Sequence, residues 1–125
     1  MSEYRATFEV ELLPTETVVE GTDRMNLTKT WSGDLEGTSH GTLVSAGDPA
    51  HGTAGYVAIE RFTGTIAGRR GTVVFQQFAT MDGGDAALYY EATPGSGTDE
   101  LTGFRGSLEL TVEDGVHSIV LRTGD

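Results

Sequence analysis

The chain has no cysteine, three prolines, one tryptophan and one lysine. Without cysteine there is no disulfide framework, no thiol nucleophile and no thiolate metal site. No apolar run is long enough to span a bilayer, and Met1 to Arg5 lacks the basic start of a secretory signal, so the expected compartment is the cytoplasm and no membrane partner is expected. Cations are scarce: 8 Lys+Arg stand against 19 Asp+Glu, a net charge of −11 with His neutral. A surface of that sign repels phosphate, which argues against nucleic acid as a partner. Its simplest use is solubility. Helical periodicity is also missing. No window of a dozen residues carries an apolar stripe at i, i+3, i+4, i+7 without a glycine or a threonine run breaking it.

What is present favours strands and turns. The 125 residues amount to one domain, 1–125, with 18 glycines and as many threonines. Tyr4, Ala6, Phe8, Val10 and Leu12 alternate with polar residues, the pattern of a strand with one wet face, and Pro14 ends it. Met25, Leu27, Lys29 and Trp31 share one face of a second strand. Further strands are read at Thr42 to Ala46, Ala54 to Phe62, Thr72 to Ala79, Ala86 to Thr93, Gly106 to Val112 and Val116 to Leu121. Thr72 to Ala79 is apolar or amide-bearing on both faces, as in a wall buried on two sides. Asp82 to Asp85 and Glu113-Asp114-Gly115 are turn signals.

About eight short strands at hairpin spacing leave no room for crossover helices. The sequence therefore predicts an all-β fold, a sandwich or a closed antiparallel barrel. Closure is favoured because it removes the exposed edges of an open sheet. A short internal repeat, Ile66 to Gly71 and Leu101 to Gly106, fits a glycine corner feeding a strand in each case. Pro94 to Thr98 has the glycines of a phosphate loop but neither the Lys-Ser/Thr nor the helix that must follow, and reads as a strand connection. Ser96 lacks the spacing of a nucleophile elbow. His40, His51 and His117 lie far apart, so neither a metal site nor a cofactor is expected.

Four blocks in order, Gly33 to Gly37, Gly55 to Glu60, Gly64 to Gly71 and Pro94 to Gly106, carry a resemblance to the bacterial domain of unknown function 3224 family. The resemblance runs from about Phe8 to Leu121. It implies a small closed barrel of the allene oxide cyclase and dirigent kind, with an interior cavity and a tendency to assemble into oligomers. It implies no particular reaction, although barrels of that kind guide cyclisation or coupling of small hydrophobic molecules. The chain departs from the family pattern at Gln76-Gln77, where a Gln-His pair is usual, and at Ile119 and Thr123, where tyrosines are usual.

Candidate chemistry rests on polar residues near apolar faces. Asp34 and Glu36 are two apart and share one face of a strand. With Glu60 on a neighbouring strand they form a carboxylate set suited to acid–base work. An inward Trp31 with no bulge would instead turn Asp34 and Glu36 outward. Lys29 lies between Leu27 and Trp31. If that face is the core, the ammonium needs a partner such as Glu60; otherwise it snorkels at the mouth. Glu60 itself has apolar neighbours on both faces of its strand, so alternation leaves its direction open. His117 shares a face with Ile119 and Leu121, as a core histidine or as a proton carrier in a cavity. Arg105 suits a carboxylate ligand or a rim ion pair.

Three functions compete. A binding barrel would hold a small hydrophobic or amphipathic ligand among Trp31, Tyr56, Phe75 and Tyr90, oriented by Gln77, His117 and Glu60 with Lys29 and Arg105. An enzyme on the same barrel would be an isomerase or cyclase, or an acid hydrolase of the aspartic-peptidase type using Asp34, Glu36 or Glu60. An assembly module would use Thr72 to Ala79 as the interface of a homo-oligomer.

Overall fold

A computed structural model describes residues 1–124. Eight antiparallel strands run in sequence order and close into a barrel: β1 (Ser2–Thr15), β2 (Asp23–Gly33), β3 (Leu35–Asp48), β4 (Thr53–Ile66), β5 (Arg69–Asp82), β6 (Asp85–Ala92), β7 (Ser107–Glu113) and β8 (Val116–Thr123). Two single-turn 3-10 helices, η1 (Pro49–His51) and η2 (Asp99–Leu101), lie in connections. No helix among the described residues is long and apolar enough to cross a membrane.

Closure is made by β1 and β8, with Ala6 opposite Ile119 and Phe8 opposite His117. The β6–β7 seam is the thinnest part of the wall, a single pair between Glu91 and Ser107. The first half of β5 has no β6 partner. The connection after β6 serves it instead, with Thr93 N donating to Val74 O (2.8 Å) and Thr98 N to Thr72 O (2.9 Å). Pro94 to Thr98 is thus a strand connection, as expected, and it also finishes the wall.

Two sequence expectations change. The third strand starts at Leu35 rather than Thr42, because a single residue, Asp34, turns the chain between β2 and β3. The wall at Thr72 to Ala79 is not buried on both sides: Val73, Phe75 and Gln77 point inward, but Phe78 on the outer face is 49% exposed.

Strand parity sorts the interior. From Trp31 the inward set runs back through Lys29 and Leu27 and on to Leu35, leaving Asp34 and Glu36 outside. One end of the barrel is plugged by Leu35, Ile66, Val73, Leu101, Phe104 and Leu121. Above this plug sits an aromatic layer. Trp31 meets Phe8 with centroids 4.8 Å apart, Phe62 lies 6.1 Å from Trp31, and Phe75 lies 6.0 Å from Phe62. Each of these buried rings contributes on the order of 1.5–3 kcal/mol of apolar burial. The opposite end is left open. An eight-stranded barrel is just wide enough to be filled by side chains, and this one is filled at the plugged end.

Candidate functional site

Three even-numbered strands each send one polar side chain to the centre of the barrel. Lys29 comes from β2, Glu60 from β4 and Tyr90 from β6. All three are buried, at 4%, 2% and 3% exposure. Lys29 Nζ donates to Glu60 Oε1 (2.8 Å) and to Tyr90 Oη (3.0 Å), and Tyr90 Oη donates to the same Glu60 oxygen (2.7 Å). The ammonium also lies 4.4 Å from the centre of the Phe8 ring, a contact that favours a cation shielded from water. Glu60 Oε2 is buried with no hydrogen-bond partner.

This triangle perturbs its members in ways burial explains. Removal from water holds the Lys29 ammonium below its ordinary pKa, and the attraction of Glu60 offsets only part of that. Burial raises the Tyr90 phenol well above its usual range, and the adjacent Glu60 carboxylate raises it further. Tyr56 is raised for the same two reasons, burial first. Both phenols therefore keep their protons at neutral pH, and Lys29 and Glu60 form the ion pair of the layer at 2.8 Å.

Above the triangle, toward the open end, lies a second polar pair. Gln77 Nε2 donates to Tyr56 Oη at 3.3 Å. Tyr56 then forms the wall of a pocket of about 430 Å³, with Met25, Leu43, Ala79, Met81 and Leu88 around it. These are the inward positions of β2 to β6 at the mouth. The order along the barrel axis is an apolar mouth, the Tyr56–Gln77 pair, the Lys29–Glu60–Tyr90 triangle, the aromatic layer and the aliphatic plug. That volume is within the usual range for small-molecule sites.

The remaining sequence candidates divide by place. Trp31 and Phe75 are sealed in the aromatic layer, where they support the triangle; Trp31 Nε1 donates to Ser39 Oγ at 2.8 Å. His117 is half-buried on the β1–β8 side of the mouth, stacked on Phe8 with centroids 5.0 Å apart. Arg105 is exposed at the plugged end beside Arg69 and Phe104, and makes no ion pair among the described residues. Asp34 and Glu36 do not join Glu60. Both are exposed, and Asp34 Oδ2 accepts from the backbone N of Arg5 (2.8 Å) as part of the β2–β3 turn. The carboxylate set is thereby reduced to Glu60 alone, because an inward Trp31 fixes the parity of the strand that follows it. Among the described residues no three acidic or histidine side chains cluster as metal ligands would.

Of the mouth residues, Met25 is placed by the sequence on the face of Lys29 and Trp31, while Leu43, Ala79, Met81 and Leu88 are not among the sequence candidates. Their signal was available: each is an even number of residues from an inward position on its own strand, counting from Lys29, Ser39, Gln77 and Tyr90.

No curated protein matches the chain. A solved structure does: a protein of unknown function from Shewanella oneidensis MR-1, described as belonging to the DUF3224 family. It is 39% identical, covers 97% of this chain and 94% of its own, and superposes with a TM-score of 0.89. The profile of the family described as "Protein of unknown function (DUF3224)" matches residues 4–122. With barrel, family profile and solved relative in agreement over nearly the full length, this chain belongs to the DUF3224 family.

Proposed function

We propose that the barrel binds one small, neutral amphipathic molecule through its open end. The apolar body of the ligand lies among Met25, Leu43, Met81 and Leu88, and its polar head meets Tyr56 and Gln77. The observation that carries this reading is the order of layers: an apolar pocket of about 430 Å³ whose inner limit is polar rather than greasy. A pocket built only for packing would end on the aliphatic plug. A neutral head fits because the Lys29–Glu60 pair beneath is balanced in charge, so a charged head would find no uncompensated counter-charge and would be costly to bury. The net charge of −11 adds a general bias against anions.

Titration with a neutral environment-sensitive dye such as N-phenyl-1-naphthylamine tests the reading. Saturable enhancement is expected with the wild type. Ala79→Trp, which fills the pocket from β5, should abolish it while leaving the thermal transition in place. No enhancement in the wild type, or equal enhancement in both proteins, would remove the proposal.

One observation favours a second reading on the same site. Glu60 Oε2 is a carboxylate oxygen with no donor of its own. In a dry interior such an oxygen is suited to take a proton from a bound molecule, the step an isomerase or cyclase requires. Glu60→Gln, assayed at a temperature where its circular dichroism shows the barrel intact, separates the readings: binding with no turnover in either protein supports the carrier, and turnover lost in the folded variant supports the enzyme.

A further inference from the structure

The outer face of β3 to β6 has a symmetry that points to a partner. The registers align its outward residues in rows across the four strands. The central row is Val44, Val57, Phe78 and Tyr89. Val57, Phe78 and Tyr89 are 50%, 49% and 67% exposed, and Ile59 in the next row is 50% exposed. Together they border a shallow groove of about 540 Å³ on the outside of the barrel. Exposed apolar side chains grouped in this way on so acidic a chain mark an interaction surface rather than ordinary surface scatter.

One charge lies within this face, Glu91 at the β6 edge of the Ile59 row, where its Oε1 accepts from Gln76 Nε2 at 3.3 Å; the others sit at the two ends. Four residues from the central row in one direction stand His40 and Arg61. Four residues in the other direction stand Asp48, opposite Thr53, then Asp82 and Asp85. Arg61 forms no ion pair among the described residues; its guanidinium makes a long hydrogen bond, Nη2 to Thr72 Oγ1 at 3.4 Å. Val57 is the midpoint between Arg61 and Thr53, Val44 between His40 and Asp48, and Phe78 between Val74 and Asp82.

We infer that this face is the interface of a two-fold homodimer, with the axis running along the Val44–Val57–Phe78–Tyr89 row. Rotation by half a turn about a line along that row lays each central side chain on its own counterpart. It also brings Arg61 of one copy between Asp48 and Asp82 of the other, and His40 against Asp48. A self-complementary patch of this kind is what an isologous dimer requires. The opposite charges choose the antiparallel arrangement over the parallel one, which would set carboxylates against carboxylates. From Arg61 to Thr53 the face is about 27 Å long, and four strands make it about 19 Å wide. Two copies therefore cover roughly 1,000 Å² in projection, the lower bound for a specific interface. Elsewhere the negative charge of the surface opposes association of copies.

Sedimentation velocity and light scattering on purified protein test the inference. A dimer is expected for the wild type. Arg61→Glu and Asp82→Arg should each weaken it at least ten-fold, and the two together should recover most of the loss, since the exchanged charges again meet across the axis. Phe78→Glu should give monomer with the barrel's circular dichroism retained; if that variant fails to fold, the charge-exchange pair carries the test. A wild type that stays monomeric at every attainable concentration, as it would if the face served a different partner, overturns the inference. So does a doubly exchanged protein no tighter than its weaker single variant.

Discussion

Lys29 and Glu60 join at 2.8 Å inside the barrel although β3 runs between their strands. The bridge is built over Gly41, which stands opposite both Leu27 and Glu60. A Cβ on Gly41 would run into Ile59 O and stand 2.7 Å from Glu60 Cα. The missing side chain lets β3 approach β4 closely and keeps the space between lysine and glutamate clear. The pair then lies in a layer with water excluded, where attraction is large and the loss of hydration is also large.

Breaking the pair on one side should cost far more than removing it whole. Lys29→Met or Glu60→Gln alone is expected to destabilise by about 3–5 kcal/mol, because the residual polar or charged group stays buried without its partner. The double variant should lose well under the sum. Urea unfolding of the four proteins reads the coupling; additive losses would show that the two residues do not support one another.

Tyr90→Phe should cost about 1–3 kcal/mol by removing a donor to Glu60 Oε1 and an acceptor from Lys29. It should also change the alkaline limb of stability. With its folded pKa above the unfolded 10.0, Tyr90 binds more protons folded than unfolded above that pH. Its contribution is therefore full below about pH 10 and is lost as the pH rises further. Lys29, lowered from 10.5, acts in the opposite sense: below 10.5 the unfolded chain holds its proton more tightly, so this part of the stability rises with pH. Phenolate absorbance followed against pH should show a late step in the wild type that coincides with unfolding and is missing in the variant.

Gly41→Ala is expected to destabilise by about 1–3 kcal/mol, the usual cost of forcing a methyl group into a closed contact. A thermal transition unchanged from wild type would show that β3 has room to move, and would remove the explanation given for the Lys29–Glu60 bridge.

Glu36→Gln should shift stability by no more than about 0.5 kcal/mol and leave dye binding unchanged, since its carboxylate is exposed and outside the barrel. Loss of binding or of any turnover in that variant would return Glu36 to the site.

The barrel was legible because its strands are bordered by turn residues and alternate cleanly, as Tyr4 to Leu12 does, and because eight of them need closure. The β2–β3 turn was harder to place: Gly33-Asp34 carries a one-residue reversal, and the glycines and polar residues of Leu35 to Gly41 hide the alternation of the strand that follows. The Lys29–Glu60 pairing was readable as a requirement but not as a position. Each residue has apolar neighbours, so local pattern left the direction of both open, and only the register across β3 brings them together. The sequence marks Tyr90 only as an aromatic lining residue. Its role as the third corner depends on the β5–β6 register that sets it opposite Gln77. Ala79, Met81 and Leu88 look like ordinary strand filling in the sequence; only an unplugged end of the barrel makes them the wall of a pocket.

Occupation of that open end is tested most directly by methyl NMR on methionine-labelled protein. The chain has three methionines: Met25 and Met81 line the pocket, and Met1 is 93% exposed and serves as the internal control. Addition of a neutral long-chain alcohol should move the Met25 and Met81 signals saturably and leave Met1 in place. Signals of Met25 and Met81 that stay fixed while the alcohol is raised to its solubility limit would contradict a ligand-binding mouth.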